Sequence, residues 1–229
     1  MSLKWLQRLI HEVTVRKHPL RTSSRRSNRL RCGPCLEILE ARLAPAADIA
    51  ILATGVGSLD HLLSAKNGTI TTSDDPGDLT ASLSITALQN VGAGIQIEIE
   101  ATENITFQNV GSLKLKTDHN VDAIFYAEGA IDFDQTANNV TTQGGSLFFV
   151  ADTDITVSNL NSNGGNVLLD AGFGGTGNLQ IQNVLAGATG VLTMTATGGI
   201  ITQVSSSSTA SALTINAMAL HSIPSSAQR

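Results

Sequence analysis

Residues 101–107 (ATENITF), 127–133 (AEGAIDF), 151–157 (ADTDITV) and 196–201 (ATGGII) are variations on one unit: an alanine, a few small or polar residues, then a short apolar stretch. The first three begin at Ala101, Ala127 and Ala151, a nearly even spacing. A second unit, opened by glycine, falls between them: GSLKL at 111–115, GGSLFF at 144–149, GGNVLL at 164–169 and TGVLTM at 189–194. A period near 24 made of short strands and small-residue turns is the mark of a solenoid. Each coil buries itself only against its neighbours, so like side chains must return at every turn.

The columns follow from that period. Ile131/Phe133, Ile155/Val157 and Leu179/Ile181 recur at one constant spacing, and Leu147/Phe149, Val167/Leu169 and Val191/Thr193 form a second column. Residues 97–100 (IEIE) and 113–116 (LKLK) alternate apolar with charged, which turns Ile97, Ile99, Leu113 and Leu115 to one face. Stacked in register, Glu98 and Glu100 would lie beside Lys114 and Lys116. Asn104, Asn120, Asn138, Asn139, Asn159, Asn163, Asn178 and Asn183 fall at the expected corners. Asparagine tolerates the left-handed backbone such corners need. Coils about 4.8 Å apart predict roughly six of them after Leu79, in a rod on the order of 30 Å long.

Composition agrees. The abundance of Thr, Val, Ile, Gly and Asn favours strands and turns over helix. Aromatic residues are only 3% of the chain, so the predicted core is stacked Ile, Leu and Val rather than rings. The expected fold is an all-β, parallel (right-handed) β-helix. Residues 1–47 read as a basic leader, disordered or weakly helical, and 48–78 as an N-terminal cap. Residues 79–217 read as the repeats and 218–229 as a tail, an outline that fits a fragment of a longer chain.

Charge is lopsided. Ten of the fourteen Lys and Arg lie in residues 1–42 with only Glu12, Glu37 and Glu40 against them, a net of +7 that leaves −12 for the remainder. An arginine run at 21–31 suggests nucleic acid, but no base-reading fold or stacking platform accompanies it, so no nucleic-acid partner is expected. Ala44-Pro45-Ala46 has the outline of a processing site at Ala44 and Ala46, though Glu37, Glu40 and Arg42 interrupt the apolar run a signal peptide needs. Cys32-Gly33-Pro34-Cys35 has the spacing of a redox pair, but no strand leads into it and no βαβ pattern surrounds it.

The stretch RRSNRLRCGPCLEILEARLAPA resembles the basic leader with a Leu-Glu-x-Leu-Glu-x-Arg motif that opens many large bacterial surface proteins, here Leu36, Glu37, Leu39, Glu40 and Arg42. Likewise NITFQNV-GSLKL, DITVSNLNSNGGNVLLDA and ATGGIITQ resemble the parallel β-helix repeats of filamentous haemagglutinin-like adhesins and autotransporter passengers, over residues 85–217. These resemblances imply delivery to the bacterial cell surface or beyond by export machinery that reads the leader. They also imply a non-enzymatic, structural or adhesin-like role, with extracellular polysaccharide or a cell-surface protein as partner.

The alternative is a β-helix enzyme acting on polysaccharide. It would need clustered carboxylates with a basic partner. Asp132/Asp134 and Asp152/Asp154 are the candidates, but no arginine accompanies them. Gly174–Leu179 (GGTGNL) puts leucine where a calcium-binding repeat needs aspartate. His11, His18, His61, His119 and His221 show no metal spacing. Three glycosylation sequons, at Asn67, Asn104 and Asn139, carry little weight in a bacterial chain. No stretch of eighteen apolar residues exists for a transmembrane helix. The sequence thus predicts no catalytic, metal or cofactor-binding residues.

Overall fold

The structure is a computed structural model that describes residues 48–71, 74, 80–203 and 212–222. All its strand pairings are parallel. They divide the coils into three walls, and the chain forms a parallel β-solenoid of about five turns.

Wall I stacks β2 (Thr69–Ile70), β4 (Ile97–Ala101), β7 (Ala123–Ala127), β10 (Leu147–Ala151), β12 (Val167–Ala171) and the first part of β14 (Val191–Gln203) and β15 (Ala212–Ser222). Wall II stacks β3 (Thr80–Ser84), β1 (Asp48–Leu52), β5 (Ile105–Gln108), β8 (Ile131–Phe133), the start of β11 (Ile155–Asn161) and of β13 (Leu179–Leu185), and the end of β14 and β15. Wall III stacks β6 (Ser112–Lys114), β9 (Asn139–Thr141) and the far ends of β11 and β13.

Inward rows are nearly pure. In wall I, Ile99, Phe125, Phe149, Leu169 and Met194 stand in one row and Ala101, Ala127, Ala151, Ala171 and Ala196 in the next, all buried. The alanine row ends the wall, where the chain turns toward wall II. In wall II the row is Ile105, Ile131, Ile155, Leu179 and Ile201. Wall III contributes Leu113, Val140, Leu160 and Val184.

Rings are central to this core, contrary to the expectation from composition. Four of the six phenylalanines pack together between walls I and II. Phe107 stacks on Phe133 at 4.3 Å and Phe125 on Phe149 at 5.0 Å, and Phe107 meets Phe125 edge-on at 5.4 Å. Such pairs add about 0.5–1.5 kcal/mol beyond area burial.

Three register expectations are corrected. The row position of Ile97 is taken in turn by Ala123, Leu147, Val167, Leu192 and Leu213, so the coils differ in length instead of keeping one period. Leu192 and Met194 therefore face inward, not Val191 and Thr193, because one extra residue in a coil flips the strand's faces. GSLKL belongs to wall III while the other glycine-opened strands belong to wall I, since Leu113 follows Ile97 by less than a full coil. Hence Glu98 and Glu100 neighbour Ile124 and Tyr126 rather than Lys114 and Lys116.

Corners absorb the varying length. β11 crosses from wall II to wall III without a loop, which makes its coil short, whereas Gly172–Asn178 inserts a loop between walls I and II. Where walls III and I meet, Gly145, Gly165 and Gly190 stack. A Cβ on Gly165 would sit 2.5 Å from the Gly145 carbonyl oxygen, and one on Gly190 would fall closer still to that of Gly165. Only glycine admits so close a backbone approach.

Two short helices, α1 (Asp60–Ala65) and α2 (Ile85–Asn90), lie at the N-terminal end of the described solenoid, against the first coil. The segment entering α1 runs along the outer edge of β3. Leu59 N–H donates to the Ser82 carbonyl at 2.9 Å, Ser82 N–H donates to Ser58 Oγ at 3.0 Å, and Ser84 N–H donates to Asp60 Oδ1 at 2.7 Å. Backbone groups of Ser82 and Ser84 on the outer edge of β3 are thereby satisfied.

Candidate functional site

The carboxylates decide whether the solenoid carries chemistry, and the corner before wall II shows their use. Asp48, Asn104, Ala130, Asp154, Asn178 and Ile200 hold the same position in successive coils. Asp48 Oδ1 accepts from Asn104 N–H at 3.1 Å, and Asn104 Oδ1 from Ala130 N–H at 2.8 Å. Asp154 Oδ1 accepts from Asn178 N–H at 2.6 Å, and Asn178 Oδ1 from Ile200 N–H at 3.2 Å. Each side-chain oxygen thus holds the backbone of the next coil. The ladder is interrupted at Ala130, which has no such oxygen.

The corner between walls II and III is built the same way. Asn138, buried, donates through Nδ2 to the Phe107 carbonyl at 2.8 Å and to Asp134 Oδ1 at 2.9 Å, while its Oδ1 accepts from Gly111 N–H at 3.3 Å. Asn159 Nδ2 donates to the Thr136 and Asn138 carbonyls, and Asn183 Nδ2 to Asn159 Oδ1 at 2.8 Å. Among the asparagines expected at corners for their backbone, Asn163 alone has positive φ, at 50°. The others named here act through their amides, a use that Asx chemistry allowed and the backbone argument overlooked.

The two aspartate pairs are therefore divided among different tasks. Asp134 and Asp154 are tied to backbone N–H groups, of Asn109 and Asn178. Asp132 lies on the outer face of wall II beside Thr156; partial burial, then the neighbouring Asp134 charge, raise its pKa. Asp152 accepts from Tyr126 Oη at 3.2 Å. The cations with described positions are Lys66, Lys114 and Lys116. Lys66 pairs with Asp74, while Lys114 stands on wall III and Lys116 follows it. Among the described residues no group of three or more His, Cys, Asp or Glu is arranged to hold a metal. Leader residues Cys32, Cys35, Leu36, Glu37, Leu39, Glu40, Arg42, Ala44 and Ala46, with His11 and His18, lie outside the described residues.

Two surfaces remain. The first is a cleft of about 510 Å³ between α1 and α2. Its charged group, Asp60, accepts from Gly57 N–H, from Ser84 N–H and from Ser84 Oγ–H, at 2.8, 2.7 and 2.7 Å. Ser84 in turn caps α2 by accepting from Ala87 N–H at 3.0 Å. Asp60 thus joins the two helices, and both its oxygens are occupied in doing so.

The second surface is the outer face of wall I, which sequence reasoning missed. Outward positions in coil order are Glu98/Glu100, Ile124/Tyr126, Phe148/Val150, Leu168/Asp170 and Thr193/Thr195. The middle of this face is apolar and half-buried, with carboxylates at both ends and with Glu128 and Asp152 at its corner. Burial, then the charges of Asp152, Glu128 and Glu100 and the hydrogen bond to Asp152, push Tyr126 up to about 12. Burial raises the Asp170 carboxyl as well. A local signal existed in AIFYA, LFFVA and VLLDA, which do not alternate as a strand exposed to water on one face does.

The class this geometry defines is a parallel β-solenoid with side-chain ladders at its corners. Comparison with known proteins finds no matching family model, no matching curated protein and no matching solved structure. No described helix is long and apolar enough to cross a membrane.

Proposed function

We propose that the chain is a non-enzymatic β-solenoid module of an exported or cell-surface bacterial protein, of the filamentous haemagglutinin-like or autotransporter-passenger kind, with a structural or adhesin-like role. The observation that carries this reading is the use of the corner carboxylates. Asp48, Asp134 and Asp154 accept hydrogen bonds from backbone N–H groups and stabilise coil on coil. An enzyme on acidic polysaccharide would instead need carboxylates converging on a shared cation. Here the described lysines with an outward place, Lys114 and Lys116, belong to the wall III region, away from wall I's Glu98, Glu100 and Asp170.

Fractionating cells that make the full chain and sequencing its mature N-terminus tests the reading. Recovery in the envelope or medium, cleaved near Ala44–Ala46, is the expected result. An intact Met1 in the cytosol would overturn export. Release of sugar fragments from a panel of polysaccharides by the purified chain would overturn the non-enzymatic role.

A further inference from the structure

The strands of wall I in mid-solenoid are apolar on both faces, unlike those of walls II and III. Outward positions of wall II hold Thr106, Asp132, Thr156 and Gln180, and those of wall III hold Lys114, Thr141 and Asn161. On wall I they hold Ile124, Tyr126, Phe148, Val150 and Leu168 over three adjacent coils. Parallel strands of this composition are ordinarily covered on both sides. A contiguous outward apolar patch with a polar rim marks a contact surface.

The rim says what kind of partner fits. Glu98 and Glu100 bound the patch at one end and Asp170 at the other, while Glu128 and Asp152 stand at the corner where the wall turns. No Lys or Arg occurs in the wall I strands. A second copy laid face to face would set acidic rim on acidic rim. Anionic lipid and acidic polysaccharide would be repelled in the same way. A positively charged group would be drawn to the rim and to the faces of Tyr126 and Phe148.

We propose that the outer face of wall I binds a cationic polypeptide segment that presents alternate apolar side chains to the Ile124–Leu168 patch and Lys or Arg to its rim. This deepens the module reading and rests on it, since it takes the face to be a contact surface rather than a catalytic groove.

The test is calorimetric titration of the full chain with a synthetic peptide of alternating arginine and leucine, beside the same peptide with citrulline or glutamate for arginine. The arginine peptide is expected to bind, and to weaken as salt is raised. The citrulline peptide should bind at least tenfold more weakly and the glutamate peptide not at all. Phe148→Ser with Leu168→Ser should lower affinity at least tenfold with an unchanged circular dichroism spectrum. Glu98→Gln with Glu100→Gln, which keeps the apolar patch, should flatten the salt dependence. Equal binding by the Phe148/Leu168 variant, or equal binding of the uncharged peptide, would overturn the proposal. So would a neutral oligosaccharide that binds this face in place of the peptide, or a dimer abolished by the same two substitutions. Cell fractionation is untouched by any of these results, so this inference and the module reading fail separately.

Discussion

Wall I and the corner between walls II and III hold the same coils together by opposite means. Wall I relies on apolar rows, inward through Phe125, Phe149 and Leu169 and outward through Ile124, Phe148 and Leu168. The corner relies on amide ladders, Asn138 to the Phe107 carbonyl and Asn183 to Asn159. Apolar contact is non-directional, so a row of similar side chains stabilises the stack without strongly fixing which residue meets which. A hydrogen bond is directional and costly to leave unmade when buried. The step from Ile97 to Ala123 is longer than that from Leu147 to Val167, and the ladders are what make each coil close in the right register despite that variation.

The largest test of the contrast is Phe149→Ala. Phe149 is fully buried and touches the rings of Phe125, Phe107 and Phe133. Its removal should cost about 3–5 kcal/mol, read as a fall in the urea midpoint. A loss below about 1 kcal/mol would mean the ring cluster does not anchor walls I and II. Asn138→Ala comes next. It removes no large volume, yet strands Gly111 N–H and leaves the Phe107 carbonyl with only its bond from Asp134 N–H, for about 1–3 kcal/mol. Asn138→Asp separates the roles. It keeps the size and the acceptor but loses the Nδ2 donor and places a charge beside Asp134, so it should be no better tolerated than alanine.

How much of this was legible in the sequence depends on the kind of contact. The alanines at 101, 127 and 151 and the isoleucines at 131 and 155 repeat near 24, and they stand in single rows as expected. Wall III was not legible as a separate wall. Its strands β6 and β9 are very short, and further on it merges into β11 and β13, so no separate period announces it. Aromatic fraction hid the ring cluster, because four rings suffice when register places them together. The corner asparagines were legible by position but not by role, since a left-handed turn and an amide ladder select the same residue. Leader residues 32–46 lie outside the described residues, so their part in export rests on sequence alone. The wall I face went unread for a related reason. Period-two reading seeks one apolar phase, and a second apolar phase looks like irregularity until the coils are stacked.

Ala130→Asn sharpens the comparison in the opposite direction. Ala130 is the rung at which the ladder from Asp48 to Ile200 has no oxygen, and its own N–H already donates to Asn104 Oδ1. An asparagine here offers Oδ1 to Asp154 N–H as Asn104 does to Ala130. A gain of about 0.5–1.5 kcal/mol is expected, seen as a higher urea midpoint. A loss would show that the chain cannot hold the added amide at this corner. Gly129 offers a contrasting substitution, because a Cβ there would fall 2.5 Å from Asn104 Oδ1. Gly129→Ala should therefore disturb the rung that Ala130→Asn extends, and lower the same midpoint.

The smallest effect is expected at the edge of wall I, from Asp170→Asn. Burial raises the Asp170 carboxyl above its ordinary value in the folded chain. The folded state then holds that proton at a pH where the unfolded chain, with a carboxyl near about 3.9, has released it. Stability from this group is therefore fully present below the unfolded value, where both states are protonated, and is lost as pH rises through the raised folded value. Asparagine cannot ionise, so the variant should exceed the parent at neutral pH and lose that advantage on acidification. Asp74 provides the opposite sign. Desolvation raises its carboxyl, but hydrogen bonds from Lys66 and Thr71 outweigh this and hold it low, so its contribution is present at neutral pH and lost on acidification. Thermal midpoints of Asp170→Asn and Asp74→Asn across the acid range should thus diverge from the parent in opposite directions. Parallel curves would mean that the outer face of wall I is wetter than its half-buried carboxylate implies.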